Sequence, residues 1–591
     1  MKRLTALTLM IALILLMASG CGSTQASTPE TSAVITSSGS SEDASVAETP
    51  EASAEEDEPV ADNESQADTS PQDDAEEPQE SSELEPEPEK VYAAVEYPLE
   101  PTTLTMWAEI KASVAVDEWN DLIIMDSIAQ NSGIKLDITS VSDSTSSEEF
   151  NLMVAAHAEC DLLMAPDVYY SGGIEAAYND EVVIDLTDML EEHAPDYLRH
   201  ADGLNEKSQA SIKSGDQYLC IYSLADNYYN IVGCVIRQDW LDDLNMDRPN
   251  DIESFTEVLT AFHNTYAPEY TLFTTDAALT YLSDLFNTYT VGYSQWSFPT
   301  YVSDGTVYCP FTTDEYRAYL EWFAGMYQAG VVHKDFYNTH PLTVRTASGN
   351  NGTGFWYTRC EGIDEWSLYC EDPAILEYCN PQPMEFMDNG DGTFDWGSEM
   401  TYVDKQAAYS ISSNCEDPEL ALEFLNYFFT EEGSLIVNYG VEGYTWERTP
   451  SGDIAWTELV TNNPDGMSAQ TVVNATTGTA LLSCLQISER MFSTYSETAQ
   501  LFLDYCNSNI TDEHAFPSTA ALTSDQAFEV SDGITSLLTY SSEQILKFMT
   551  CSEEINDSTW AAFQQTLKDM GIEHILELYQ ENYSAYEADF A

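Results

Sequence analysis

Thr103-Leu-Thr-Met-Trp107, Lys135-Leu-Asp-Ile-Thr139 and Asp161-Leu-Leu-Met-Ala165 are three short stretches whose apolar or alternating character reads as β-strand. Between the first two, Asp117 to Asn131 carries apolar residues at helical spacing. Between the second and third, Ser147 to His157 opens with a serine and two glutamates, the composition of a helix start. The pattern is β-α-β-α-β. Strands joined through a helix run parallel, so the alternation predicts an α/β fold with an open, largely parallel sheet and helices on both faces. Ligands of such sheets sit outside the carboxyl ends of the strands. Residues at or just past those ends are therefore binding candidates: Trp107 and Glu109 after the first strand, Asp167, Tyr169 and Tyr170 after the third.

Upstream the chain is of a different kind. Met1-Lys2-Arg3, an apolar run from Leu4 to Met17 and the small residues before Cys21 describe a secretion signal, too short to anchor a mature span. Ala18-Ser19-Gly20-Cys21 resembles the bacterial lipobox, with Ala18 where that pattern usually has Leu. The resemblance implies that residues 1–20 are removed, that Cys21 carries lipid, and that the protein is held at the extracellular face of the cytoplasmic membrane through this anchor alone. Each acyl methylene contributes about 0.8 kcal/mol of anchoring. An ordinary signal peptide cut nearby, with Cys21 incidental, is the alternative. From Gly22 to Lys90 there are 21 acidic residues, one Lys and no aromatic residue, which predicts a disordered acidic tether over 21–90. Such a chain spans about 45 Å, more with self-repulsion. An acidic interaction tail is the other reading of this segment.

From Val91 onward lie all 11 Trp and all 35 Tyr, a length suited to two to four domains. The whole chain carries 103 acidic and 19 basic residues. A surface that negative repels phosphates and anionic headgroups, which argues against nucleic acid and membrane surfaces as partners. After the signal no apolar run approaches the roughly 20 residues of a membrane helix. Of the 12 Cys, setting Cys21 aside leaves an odd number with no CxxC pair. Apolar neighbourhoods such as Leu219-Cys220-Ile221 predict buried free thiols, with one disulfide within the Cys360, Cys370 and Cys379 group as the exception to test. The eight His are dispersed, and no metal site or cofactor is implied. Asp388-Asn-Gly-Asp-Gly-Thr-Phe-Asp395 clusters hard oxygen ligands but lacks the spacing and terminal Glu of an EF-hand loop, so a hairpin turn is preferred over calcium binding.

Further stretches carry a family likeness. Phe150-Asn-Leu-Met-Val-Ala-Ala156, Tyr170-Ser-Gly-Gly173, Val183-Ile-Asp-Leu-Thr187 and His193-Ala-Pro195 lie in the first part of the chain. Val235-Ile-Arg-Gln-Asp-Trp-Leu241 follows, then Glu416-Asp-Pro-Glu-Leu-Ala421, Glu432-Gly433 and Asn438-Tyr-Gly-Val-Glu-Gly443. Together they resemble the extracellular solute-binding proteins of ABC importers, in particular the long lipoprotein members of Gram-positive bacteria. The likeness covers nearly all of residues 100 to 585; it departs at Phe548-Met549, where Thr550-Cys551 stands in place of the usual Gly. It implies a two-lobed periplasmic-binding-protein type II clamp, each lobe a doubly wound sheet, with lobe 1 over 91–225 plus 400–447 and lobe 2 over 226–399 plus 448–591. It also implies a monomeric receptor that is not an enzyme and that hands a small solute to the transmembrane subunits of an ABC importer.

Aromatic faces stack on sugar rings while polar groups fix orientation, so an oligosaccharide is the favoured solute. A peptide or other organic solute is the alternative, and a secreted glycoside hydrolase, which needs only two suitably spaced carboxylates, is a more distant one. The candidate ligand-binding residues are Trp107, Glu109, Asp167, Tyr169, Asn227, Tyr228, Trp296, Trp356, Arg359 and Trp446. Trp356 follows the flexible turn Gly349-Asn-Asn-Gly-Thr-Gly354, and Trp446 follows the Gly443 turn. Trp119, Trp240, Trp322 and Trp560 sit inside helical patterns and read as core. No HExxH, GxSxG, phosphate-binding lysine loop or dinucleotide fingerprint occurs.

Overall fold

The strands that position the site are, in chain order, β1 (Thr102–Ile110), β2 (Ile134–Ser142), β3 (Leu162–Met164), β4 (Ile221–Ala225), β5 (Val232–Arg237) and β6 (Tyr270–Leu272). They continue with β7 (Thr353–Arg359), β8 (Pro381–Met384), β9 (Val403–Ile411), β10 (Trp446–Arg448), β11 (Ile454–Trp456) and β12 (Leu485–Gln486). The computed structural model describes residues 90–590 apart from 111–117, 290–297, 340–342, 361, 388–393, 396–398, 465–466, 468 and 479–480. The signal, Cys21, nearly all of the tether, Trp296 and most of the Asp388-to-Asp395 turn therefore lie outside the described residues.

Two main sheets are built. The first has six strands in the order β12-β4-β9-β3-β1-β2, the second four in the order β8-β5-β7-β6. In the first sheet β1 pairs parallel with β2 and β3, and β4 parallel with β12, while β9 runs antiparallel to both β3 and β4. Five strands thus share one direction and β9 opposes them. The connectivity accounts for this exception: the chain leaves the sheet after Ala225 at the carboxyl end of β4 and comes back at Val403, which lies opposite Leu224 on that same edge. A strand that starts at the carboxyl edge runs backwards. In the second sheet β6 and β7 are parallel, and β5 opposes both β7 and β8.

The predicted β-α-β-α-β unit is present, its helices spanning Ile124–Ser132 and Ser146–Ala155. Gly133 ends the first of these with a positive φ of 87°, and a Cβ there would meet the Leu99 carbonyl oxygen at 2.3 Å, so only glycine fits this turn into β2. Alternating burial along β2 puts Leu136 and Ile138 inside and Lys135 and Asp137 outside. The first core gathers Trp107, Phe150 and Tyr169, whose rings meet edge to face, Trp107 lying 5.0 Å from Phe150 and 5.5 Å from Tyr169. Trp119 is fully buried and its indole N–H donates to the Glu109 carbonyl at 2.8 Å.

The second sheet has its own core, centred on Phe255, Phe262, Tyr319 and Phe355. Two of its flanking helices begin at reciprocal capping boxes, Asp251 with Ser254 before Ile252–Tyr266 and Asn556 with Thr559 before Asp557–Asp569. Trp240 and Trp560 are buried here and Trp322 packs against the same core, as their helical spacing predicts. All eleven cysteines after Cys21 are free thiols, and the Sγ atoms of Cys360 and Cys506 lie 3.8 Å apart in a third, smaller cluster. Among the described residues no helix is long and apolar enough to cross a membrane, and no cluster of His, Cys, Asp or Glu is arranged to hold a metal ion.

Candidate ligand-binding site

The parallel direction of β1, β2, β3, β4 and β12 brings their carboxyl ends to one edge of the first sheet, where the chain also departs for the second sheet and returns from it. Several residues expected from the sequence meet there. Glu109, near the end of β1, is 8% exposed and accepts a hydrogen bond from the Tyr169 hydroxyl at 2.5 Å. Burial, then that carboxylate, raises the Tyr169 phenol above its ordinary value, so it stays a neutral donor. Asp167 lies just past β3, accepting from the Ile174 amide at 3.3 Å and facing the Lys405 ammonium at 3.8 Å.

Asn227 and Tyr228 occupy the crossing after β4. The Asn227 side chain accepts from the Tyr228 amide at 2.9 Å and donates to the Tyr229 hydroxyl at 3.0 Å. Asn227 is exposed and Tyr228 half-buried, its phenol pushed up to about 12 by burial and then by the charge of Asp512. The crossing is tied to the returning chain: the Ser488 amide, just past β12, donates to Asp226 at 3.0 Å. On the far side the Asn507 side chain bonds the Asn230 backbone twice, accepting from its amide and donating to its carbonyl, each at 2.8 Å. Polar side chains with spare donors and acceptors thus ring this edge, a lining suited to hydroxyl-rich solutes.

Other expected residues stand apart. Trp107 is 2% exposed within the first core, because the strand runs three residues further than its apolar stretch suggests and carries the carboxyl edge out to Ile110. Trp356, also 2% exposed, lies inside β7 between β5 and β6 and packs with Val235, Phe273 and Phe502. The structure gives both indoles packing partners in place of an open face. Arg359 ends β7 in an exposed position, opposite Val232. Trp446 is buried in the β10–β11 hairpin, its indole N–H 3.2 Å from the Gly440 carbonyl and one face under the Arg448 guanidinium.

Sequence reasoning passed over three side chains near the same edge. Asp404, at the start of β9, accepts from Gln486 at 3.2 Å. Trp456, in β11, is partly exposed, sits 5.0 Å from the Tyr439 ring and donates to Ser493 at 2.7 Å. Arg490 lies in the short helix Ser488–Phe492 directly after β12. A strand of two residues carries no periodic signal, so nothing in the sequence tied residues 485–490 to the first sheet. A cavity of about 760 Å³ opens elsewhere, beside Asp239, Asp243, Asn351 and Tyr378. Its Trp240 is stacked on Tyr266 at 4.4 Å and covered by the Arg237 guanidinium at 4.3 Å, while Tyr378 is exposed and its hydroxyl accepts from Asn351 at 2.7 Å.

Comparison with known proteins agrees with this architecture. No protein-family model matches the chain. The lipoprotein LipO of Bacillus subtilis (strain 168) is 23% identical over 368 residues, a match spanning 57% of this chain and 66% of that one. Among solved structures, the alginate-binding protein AlgQ2 superposes with a TM-score of 0.63 at 19% identity, covering 82% of this chain and 98% of its own. An HMO-binding, ABC-transporter-associated solute-binding protein from Bifidobacterium longum infantis ATCC 15697 gives 0.65 at 15%, covering 82% and 99%. The ABC-transporter substrate-binding protein FusA of S. pneumoniae, in complex with kestose, gives 0.64 at 14%, covering 83% and 100%. The chain has the fold of the solute-binding proteins of ABC transporters.

Proposed function

We propose that this protein is a membrane-anchored extracellular receptor that captures a small solute, an oligosaccharide in preference to a peptide, and delivers it to the transmembrane subunits of an ABC importer. The observation that carries the reading is the edge itself. Five strand ends converge where the polypeptide passes between two sheets, and that edge is lined by Glu109, Asp167, Tyr169, Asn227 and Tyr228. The structural neighbours are named for alginate, HMO and kestose, which supports a saccharide. The lipobox-like Cys21 and the lipoprotein relative support the anchor.

The two sheets correspond to two lobes, lobe 1 on 91–225 with 400–447 and lobe 2 on 226–399 with 448–591, the segment around β12 returning to lobe 1. Solute held between the lobes makes its full set of contacts only when they close, so binding selects the closed form through differential affinity. That form is what a permease reads. The protein leaves its solute chemically unchanged. A thermal-shift screen of the mature chain against oligosaccharides and short peptides tests this: saturable stabilisation by saccharides is expected, and stabilisation confined to peptides would overturn the sugar assignment.

A further inference from the structure

Arg490 is placed on the carboxyl edge of the first sheet by the helix Ser488–Phe492. Its Nε and Nη1 are closed off from solvent, and neither has a hydrogen-bond acceptor among the described residues. Among the described residues, the groups that act on it electrostatically are the Cys484 thiol and the phenols of Tyr439 and Tyr495. In a chain of 103 acids and 19 bases other guanidiniums have a carboxylate: Asp239 holds Arg237 at 2.6 and 2.8 Å, although Arg237 Nη1 also has no acceptor among the described residues, and Asp196 holds Arg199 at 2.6 Å. A guanidinium keeps its charge in proteins, and burying one without acceptors is costly. The cost is recovered when something else supplies them.

The surroundings narrow what that is. Trp456, partly exposed, donates to Ser493, whose hydroxyl donates in turn to the Arg490 carbonyl at 2.8 Å, which ties the indole to the turn that ends the Arg490 helix. The two orphaned donors lie on different edges of the guanidinium and so call for two acceptors. We propose that Arg490 anchors a carboxylate on the captured solute, making the ligand class a carboxylated oligosaccharide such as one containing uronic acid. The inference rests on the oligosaccharide reading. A uronic acid carries both acceptors, its carboxylate on one edge and ring or hydroxyl oxygens on the other, with an apolar ring face to set against an indole.

The test uses calorimetry on the mature chain with uronic-acid trisaccharides of several linkages, their methyl esters, neutral trisaccharides, and tripeptides with free or amidated C-termini. Wild type should bind an acidic trisaccharide at least tenfold more tightly than its methyl ester. Arg490→Met should abolish that preference and Arg490→Lys should weaken it. In the absence of ligand, Arg490→Met should melt at or above the wild-type temperature, since it removes an unpartnered charge; a large fall in melting temperature would make Arg490 a structural residue and overturn the inference. Preference for a neutral trisaccharide, equal in wild type and Arg490→Met, would also overturn it while leaving the oligosaccharide reading intact. Binding of free-carboxylate tripeptides to the exclusion of every saccharide would overturn both.

Discussion

Replacing Trp356 by Ala separates packing from ligand contact. The indole is 2% exposed in the interior of a four-stranded sheet, with β5 and β6 fixing the backbone on either side, so the hole it leaves cannot collapse readily. Trp-to-Ala changes at such sites cost about 3–5 kcal/mol. Unfolding entropy is about 2.1 cal/mol/K per residue, so a cooperative unit spanning Pro88–Ala591 loses about 1 kcal/mol per degree, and its melting temperature should fall by about 3–5 °C. If the half built on the second sheet melts alone, with roughly 300 residues, the fall grows to about 5–8 °C in that transition. Differential scanning calorimetry distinguishes the two. Affinity for a saccharide that stabilises the wild type should change by less than about twofold, under 0.5 kcal/mol. A tenfold loss of affinity with an unchanged melting temperature would refute the reasoning and make Trp356 a ligand contact.

The same substitution should have opposite signs in two helices. Gly433→Ala puts a Cβ 2.0 Å from the Tyr427 carbonyl oxygen and 2.7 Å from its carbon, both backbone, so despite better helix propensity it should destabilise by about 1–3 kcal/mol. Gly533→Ala meets nothing within 4 Å and should stabilise by about 0.5–1 kcal/mol; denaturant midpoints moving the same way in both would contradict the packing. Burial pushes the Cys220, Cys309 and Cys484 thiols up to about 12, so alkylation of the folded protein at pH 8 should spare them and modify the partly exposed Cys370 and Cys160; rapid labelling of Cys484 in the folded state would count against the first core. Burial lowers the His200 pKa, its ring lying 3.2 Å from the Phe429 carbonyl. Below about 6.5 the unfolded chain therefore takes up a proton that the fold resists, and stability falls as pH drops. His200→Gln should flatten the melting temperature between pH 7 and 5.5, and an unchanged slope would assign the dependence to other groups.

The first sheet was legible because its opening strands alternate or run apolar between helices of regular period, and the parallel order follows from that alternation. The antiparallel β9 was not, since its direction depends on where the chain re-enters after 177 intervening residues from Asp226 to Tyr402. Glu109 and Asp167 were read as candidates because strand ends mark ligand edges, and both lie at that edge. Trp107 was read as a candidate on the same ground and Trp356 for the turn before it, but an indole suits a core as well as a sugar face. Only the pairing of neighbouring strands decides between them. Arg490 escaped because its significance lies in the acceptors it lacks, which no sequence window displays.

The central claim is capture without chemistry, and calorimetric titration of the mature protein with oligosaccharides, followed by mass measurement of the recovered ligand, addresses it most directly. The account predicts saturable one-to-one binding and a ligand returned at its original mass. Recovery of shortened saccharide, or titrations in which peptides alone release heat, would contradict it.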